Sequence, residues 1–168
     1  MPVYKEDLSA GLRAGMRRLA ASVCIITLND ARGVPHAMTA TAVTSLSDDP
    51  PSLLVCVNRQ AAAYPALMDH QAFCVNVLNA AQAELSVHCA NKSEEGRFAK
   101  GRWKQHPQNG LPYLEDAEAA FFCMNDRLVE YGSHLIAVGK LTEVMTADHP
   151  AQPLLYADRQ YWKLTELT

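Results

Sequence analysis

The 22 residues from Met38 to Arg59, MTATAVTSLSDDPPSLLVCVNR, constrain the fold more than any other part of the chain. They open with small hydroxyl and methyl side chains, Thr39, Ala40, Thr41, Ala42, Val43, Thr44 and Ser45, and turn at Asp48, Asp49, Pro50 and Pro51. They leave along Ser52 to Val57, an apolar run rich in β-formers that predicts a buried strand. The pattern is strand, tight turn, strand. A face made of Ala and Thr has two readings. It is an ordinary hairpin whose threonines serve strand propensity, or it is a surface on which a flat ligand can approach the backbone, each Thr adding one donor and two acceptor lone pairs at little steric cost.

The flanking segments extend this β pattern. Residues Glu6 to Ala20 predict a helix with Leu8, Leu12, Met16 and Leu19 on one stripe, an amphipathic lid or packing helix. Ser22 to Leu28 is a strand by its β-branched density, returned by the turn Asn29-Asp30-Ala31-Arg32-Gly33. Ala61 to His70 predicts a short helix that tolerates Pro65 in its first turn and starts beside Asn58 and Arg59. Gln71 to Leu78 is a further strand, and Asn79 to Ala90 a helix with an Asn cap and with Leu85 and Val87 facing inward. Asn91 to Pro112 is polar and irregular, anchored by Phe98 and Trp103. Strands then follow at Ala117 to Val129, Leu135 to Met145, Pro153 to Tyr156 and Tyr161 to Leu164. With no repeat or linker, residues 1–168 read as one domain, mainly β with inserted helices, arranged as a closed or split barrel of Greek-key type.

Composition removes several classes. A net charge of −3 with 49% hydrophobic residues excludes the disordered class and argues against a nucleic-acid partner. No run approaches the roughly 20 apolar residues of a membrane span, and MPVYKEDLSA lacks a signal-peptide core, so the expected location is cytoplasmic with no membrane partner. Cys24, Cys56, Cys74, Cys89 and Cys123 are an odd set without metal-ligand spacing and read as small core residues in a reducing compartment. The histidines are scattered, and no metal is predicted. The chain has no G-x-G-x-x-G, G-x-S-x-G, H-E-x-x-H or P-loop, so a Rossmann dinucleotide site is not available.

Five blocks in a fixed order carry a resemblance. Thr39-Ala40-Thr41-Ala42-Val43, Pro50-Pro51, Leu53-Leu54-Val55-Cys56-Val57-Asn58, Cys74-Val75-Asn76-Val77-Leu78 and Gly132-Ser133-His134 together resemble the short-chain flavin reductases, of the 4-hydroxyphenylacetate 3-monooxygenase reductase type. The resemblance runs from about Arg13 to Tyr161. It implies an FMN-binding split β-barrel and an NAD(P)H-dependent flavin reductase taking FMN or FAD, with NADH or NADPH as co-substrate. It further implies a homodimer with flavin clefts between subunits and a separate monooxygenase that receives the reduced flavin.

By the same resemblance, Thr39, Ala40, Thr41 and Ala42 flank the flavin ring and ribityl chain, with Thr44 and Ser45 nearby. Cys56, Asn58, Arg59, Val75, Asn76 and Val77 complete the wall, Arg59 supplying a guanidinium to the phosphate. His134 is the histidine near the nicotinamide, in a binding and orienting role. The chain departs from the pattern at Ala37, where many relatives have Gly, and at Ala61, a cofactor-facing position where they carry Ser. Its segment between Ala90 and Arg97 is also shorter.

Such a reaction needs little acid–base machinery, because hydride passes between two coenzymes and the protein supplies stacking and orientation. That suits a site built of Thr, Ala and backbone. Two other readings remain open on the residues. One is a flavin-binding sensor or carrier without turnover. The other is a split-barrel oxidase of a small phosphorylated substrate, which should carry an extra basic cluster that the chain lacks.

Overall fold

A computed structural model describes residues 7–69, 72–91 and 96–166. In chain order the elements are α1 (Leu8–Met16), β1 (Ala21–Ser22), β2 (Cys24–Asn29), β3 (Pro35–Ala40), β4 (Val43–Asp48), β5 (Pro51–Asn58), α2 (Ala63–Asp69) and β6 (Ala72–Val77). A 3-10 turn, Ala80–Gln82, leads into α3 (Ala83–Ala90). The remainder is β7 (Trp103–Gln105), β8 (Pro112–Leu114), β9 (Ala119–Tyr131), β10 (His134–Thr146), β11 (Leu155–Ala157) and β12 (Gln160–Trp162).

Seven strands form the main antiparallel sheet in the order β3-β2-β6-β9-β10-β5-β4. Its two edge strands, β3 and β4, are consecutive in the chain and separated only by Thr41 and Ala42. Three Cα–Cα steps span at most about 11 Å, whereas seven strands laid flat would place the edges about 29 Å apart. The sheet therefore curls until its edges meet at Thr41-Ala42. The edges are joined there by the chain, and among the described residues no ladder pairs β3 with β4, so the sheet is split and not closed into a barrel.

Burial follows from the curl. Successive residues of a strand point to opposite faces, yet Ile25 and Ile26 are both fully buried, so β2 is covered on each side. Ile26, Leu28, Val55, Val57, Phe73, Val75 and Leu135 fill the barrel, and α2 plugs it with Ala63, Ala66 and Leu67. On the outer face Val23, Ile25, Leu78 and Leu154 pack under Leu85 and Cys89 of α3. Gly139 sits at a bulge in β10 where a Cβ would come within 2.5 Å of the Phe73 ring, so only glycine fits.

Several expectations need correction. The first helix is shorter than Glu6 to Ala20: Asp7 caps it, its carboxylate accepting from the Ser9 and Ala10 N–H groups, and Arg17 ends it. Its stripe stays largely open among the described residues, Leu8, Leu12 and Met16 being 85%, 66% and 54% exposed. Ser22 to Leu28 divides at Val23, which exchanges hydrogen bonds with Leu154 and Leu78 as the chain passes from β1 to β2. The Asn79 cap holds, in a capping box with Gln82, but Leu85 is buried while Val87 is half exposed. Residues two apart on a helix cannot share a face, so only one could point inward. The irregular stretch contains β7, which pairs with β8 at its end, Trp103 standing opposite Leu114. The ends of the predicted first and second helices, Glu6 and His70, and the start of the strand at Gln71 lie outside the described residues.

Candidate functional site

The place where the sheet edges meet is also the mouth of a cavity of about 730 Å³. Its floor is Thr41, Ala42, Val43 and Thr44 with Leu54 and Cys56 of β5, and the Cys56 N–H holds the kink by donating to the Ala42 carbonyl at 3.0 Å. Its roof is the end of α1, Arg13, Met16 and Arg17, and the β11–β12 turn, Tyr156 to Arg159. Asp158 and Arg159 both have positive φ, as a tight two-residue hairpin requires. The Asp158 N–H donates to the Arg17 carbonyl at 2.8 Å and ties the turn to the helix end. A floor of small methyl and hydroxyl groups beneath arginines, in a volume within the roughly 300–1,000 Å³ of small-molecule sites, fits a flat ring carrying an anionic tail.

A second cavity of about 530 Å³ lies along Met38, Thr39, Asn58, Gln60, Ala61 and Arg97. Thr39 Oγ1 donates to the Ser86 carbonyl at 2.7 Å, which anchors β3 to α3 and leaves the hydroxyl lone pairs as acceptors. Asn58 ends β5 and its side chain accepts from the Gln60 N–H at 2.8 Å, shaping the turn into α2. His134 lies directly opposite Asn58 in the β5–β10 ladder. It is exposed, and its Nδ1 is 2.9 Å from Ser133 Oγ.

The predicted residues therefore divide. Thr41, Ala42, Thr44 and Cys56 meet in the first cavity, and Thr39, Asn58 and Ala61 in the second. Thr44, Ser45 and Val77 line a third, of about 320 Å³, with Ser52 and Leu141. Ala40, Val75 and Asn76 are buried and line none of these. The Asn76 amide donates to the Ile25 carbonyl at 3.0 Å and to Thr27 Oγ1 at 3.3 Å, and its oxygen accepts from the Leu114 N–H at 2.8 Å. Neither Val75 nor Asn76 has side-chain surface to offer a ligand.

Arg59 lines none of these cavities either. Its guanidinium lies 3.2 Å from Glu130, whose carboxylate also accepts from the Tyr64 hydroxyl at 3.0 Å, a bond that raises the Tyr64 pKa. The cation that does line the second cavity is Arg97, placed in the sequence within an unpatterned loop where no periodicity marks it. The shortened segment before it includes residues outside those described. Arg17, Tyr156 and Arg159 were likewise invisible as site residues, because α1 and the last hairpin meet only in three dimensions.

The cysteines are free thiols, and burial pushes Cys24 and Cys123 up to about 12 and Cys89 to about 11. At neutral pH these three are protonated core groups, not nucleophiles. Among the described residues no cluster of His, Cys, Asp and Glu could hold a metal ion.

The model of the family described as "Flavin reductase like domain" matches residues 16–165. The chain is 41% identical over 162 residues to the reductase component of an FADH(2)-dependent resorcinol hydroxylase from Rhizobium sp., covering 93% of this chain and 87% of that protein. It is 40% identical over 156 residues to the FMN reductase (NADH) RutF of Variovorax paradoxus, covering 92% and 85%. Among solved structures, the NADH:FAD oxidoreductase SgcE6 of Streptomyces globisporus in complex with NAD and FAD fragments superposes with a TM-score of 0.90 at 25% identity, covering 98% of each chain.

Proposed function

The chain belongs to the flavin reductase like domain family, and from that premise we propose that it is an NAD(P)H:flavin oxidoreductase that reduces FMN or FAD for a separate monooxygenase component. The observation that carries the reading is the small-residue floor at Thr41-Ala42, set where the two edges of the barrel meet beneath a roof of α1 and the last hairpin.

The redox chemistry is that of the bound coenzymes, a hydride passing from nicotinamide to flavin. The chain's own part is to bind and orient. Ala42 and the flanking Thr41 and Thr44 let a ring approach the backbone closely, and their hydroxyls satisfy its polar rim. Leu54 and Cys56 support the floor from β5, keeping water from one face. His134, held by Ser133 beside Asn58, orients the nicotinamide. Fixing two rings near contact lowers a bimolecular barrier by several kcal/mol, on the order of 7 or more in favourable cases, so no side-chain acid or base is needed.

The exposed stripe of α1, with Trp162 of β12 also exposed, supports a homodimer in which a second copy covers this face and deepens the cavity beneath it. The cytoplasm, where thiols stay reduced, suits five free cysteines. The deciding experiment mixes the purified protein with NADH or NADPH and free FMN or FAD and follows absorbance at the nicotinamide band. Flavin-dependent oxidation is expected. Tight flavin binding without turnover would instead identify a carrier.

A further inference from the structure

The roof of the first cavity carries a different chemistry from its floor. Over the small side chains of Thr41 and Ala42 stand the Tyr156 ring and three arginines, Arg13, Arg17 and Arg159, drawn from both ends of the chain. Arg13 and Arg17 are four residues apart at the end of α1, so they project from the same side of it. The Asp158 N–H donates to the Arg17 carbonyl at 2.8 Å, which brings the turn carrying Arg159 against that helix end. Tyr156 is 36% exposed, yet its ring is braced. Tyr161 meets it edge-on, with centroids 5.3 Å apart and planes at 62°, and the Tyr161 hydroxyl shares a 2.9 Å hydrogen bond with Oγ of the buried Ser86 on α3. Among the described residues, Asp158 is the one carboxylate in the lining, so the three guanidinium groups leave it with two net positive charges.

We propose that this roof is an adenylate subsite: Tyr156 stacks an adenine, and Arg13, Arg17 and Arg159 take the pyrophosphate of a dinucleotide whose redox ring lies over the Thr41-Ala42 floor. An aromatic face accepts a base whatever its hydrogen-bonding edge, and guanidinium forks match phosphate oxygens two at a time. The two net charges of the lining equal the charge of a pyrophosphate diester. A volume of about 730 Å³ is in the upper part of the small-molecule range, so a ring on the floor leaves the roof for a second group. The bracing by Tyr161 and Ser86 sets the aromatic ring before the ligand arrives, so little side-chain freedom is lost on binding. The inference rests on the flavin reductase reading and deepens it, because FAD and the nicotinamide coenzymes carry an adenosine diphosphate and FMN does not.

The test is calorimetric titration of the full chain with ADP, FMN and FAD, together with the KM for NADH at saturating FMN. Wild type is expected to bind ADP, more weakly as salt is raised. Tyr156→Ala and Arg159→Gln should each weaken ADP about 10-fold, and Tyr156→Phe, which keeps the ring, should stay near wild type. The two sources of the adenylate then separate. If FAD binds wild type more tightly than FMN and both variants shrink that margin, the flavin supplies it. If FAD and FMN bind alike and the variants raise the KM for NADH, the nicotinamide coenzyme supplies it. The proposal is overturned if wild type does not bind ADP, if ADP binds with neither of those consequences, or if the variants weaken FMN as much as ADP, which marks a brace for the floor. Should Tyr156→Ala fail to fold, Arg159→Gln on its exposed turn decides alone. ADP binding without flavin-dependent NADH oxidation would keep the subsite and sink the reductase reading, and oxidation without ADP binding would do the reverse.

Discussion

His134 and Asn58 face each other as the last pair of the ladder between β10 and β5, so the histidine that follows Ser133 stands directly across from the strand-end Asn that shapes the turn into α2 and lines the second cavity, although His134 itself is not among the residues lining that cavity. Their adjacency comes from sheet register and not from sequence distance. A one-residue slip would move every side chain of β10 to the other face, and the buried Leu135 and Ala137 pin the register.

His134→Ala is therefore expected to act on the nicotinamide and not on the flavin. With free FMN saturating, the KM for NADH should rise about 10-fold, the effect of one hydrogen bond, while the FMN Kd stays within about 2-fold of wild type. His134→Gln, which keeps a polar side chain of similar reach, should recover part of the loss. Steady-state kinetics checks this, and unchanged kinetics in His134→Ala would remove the histidine from the site.

Ala42 offers a sharper probe of the floor. It is solvent-exposed at the kink, and its structural duty is a backbone carbonyl that accepts from Cys56. Ala42→Phe should leave the melting temperature nearly unchanged, since surface substitutions fall within about 0.5 kcal/mol. The ring would occupy the space above the floor, and flavin affinity should fall about 10-fold to 100-fold, as overpacking by about 1–3 kcal/mol implies. Ala42→Ser should bind flavin normally. Equal flavin affinity in Ala42→Phe would place the ring elsewhere.

Much of this was legible in the chain. β2 declared itself as an apolar run because both its faces are covered, β5 because one face fills the core while Leu54 and Cys56 floor the first cavity on the other, and the turn at Asp30 was marked by its own chemistry, its carboxylate accepting the Val34 and Arg32 N–H groups, bonds that hold its pKa down to about 2. The small-residue run identified the floor, but the break between β3 and β4 was not visible, because Thr41-Ala42 carries no Gly, Pro or Asn to announce a kink. Long-range partners were the other loss. Arg97 reaches Ala37 across 60 residues, and no local period encodes such a bond.

Asn76 separates core from site. Its three hydrogen bonds join β6 to β2 and to β8 in a fully buried position. Asn76→Ala should destabilise the protein by about 2–4 kcal/mol, since it orphans buried backbone and hydroxyl groups. Flavin affinity of the folded protein should be unchanged. Denaturant unfolding measures the first quantity and flavin titration below the transition the second. A specific loss of flavin binding at full stability would return Asn76 to the cofactor wall.

The α1 stripe sets the last expectation. Leu8, Leu12, Met16 and Leu19 are all more than half exposed on the same side of the chain's roof, while Met16 and Leu19 also line the first cavity. A second copy resting on that stripe would remove apolar surface from water and at the same time reduce the cavity's opening, so assembly and flavin affinity should be coupled. Leu12→Asp places a charge in the middle of the stripe without touching the cavity lining. Light scattering after size exclusion should show wild type at twice the chain mass and the variant shifted to monomer, with flavin affinity falling in parallel and recovering as protein concentration is raised. A wild-type monomer would show that the stripe serves as a lid within one chain, and a monomeric variant with full affinity would show that the cavity is complete without a partner.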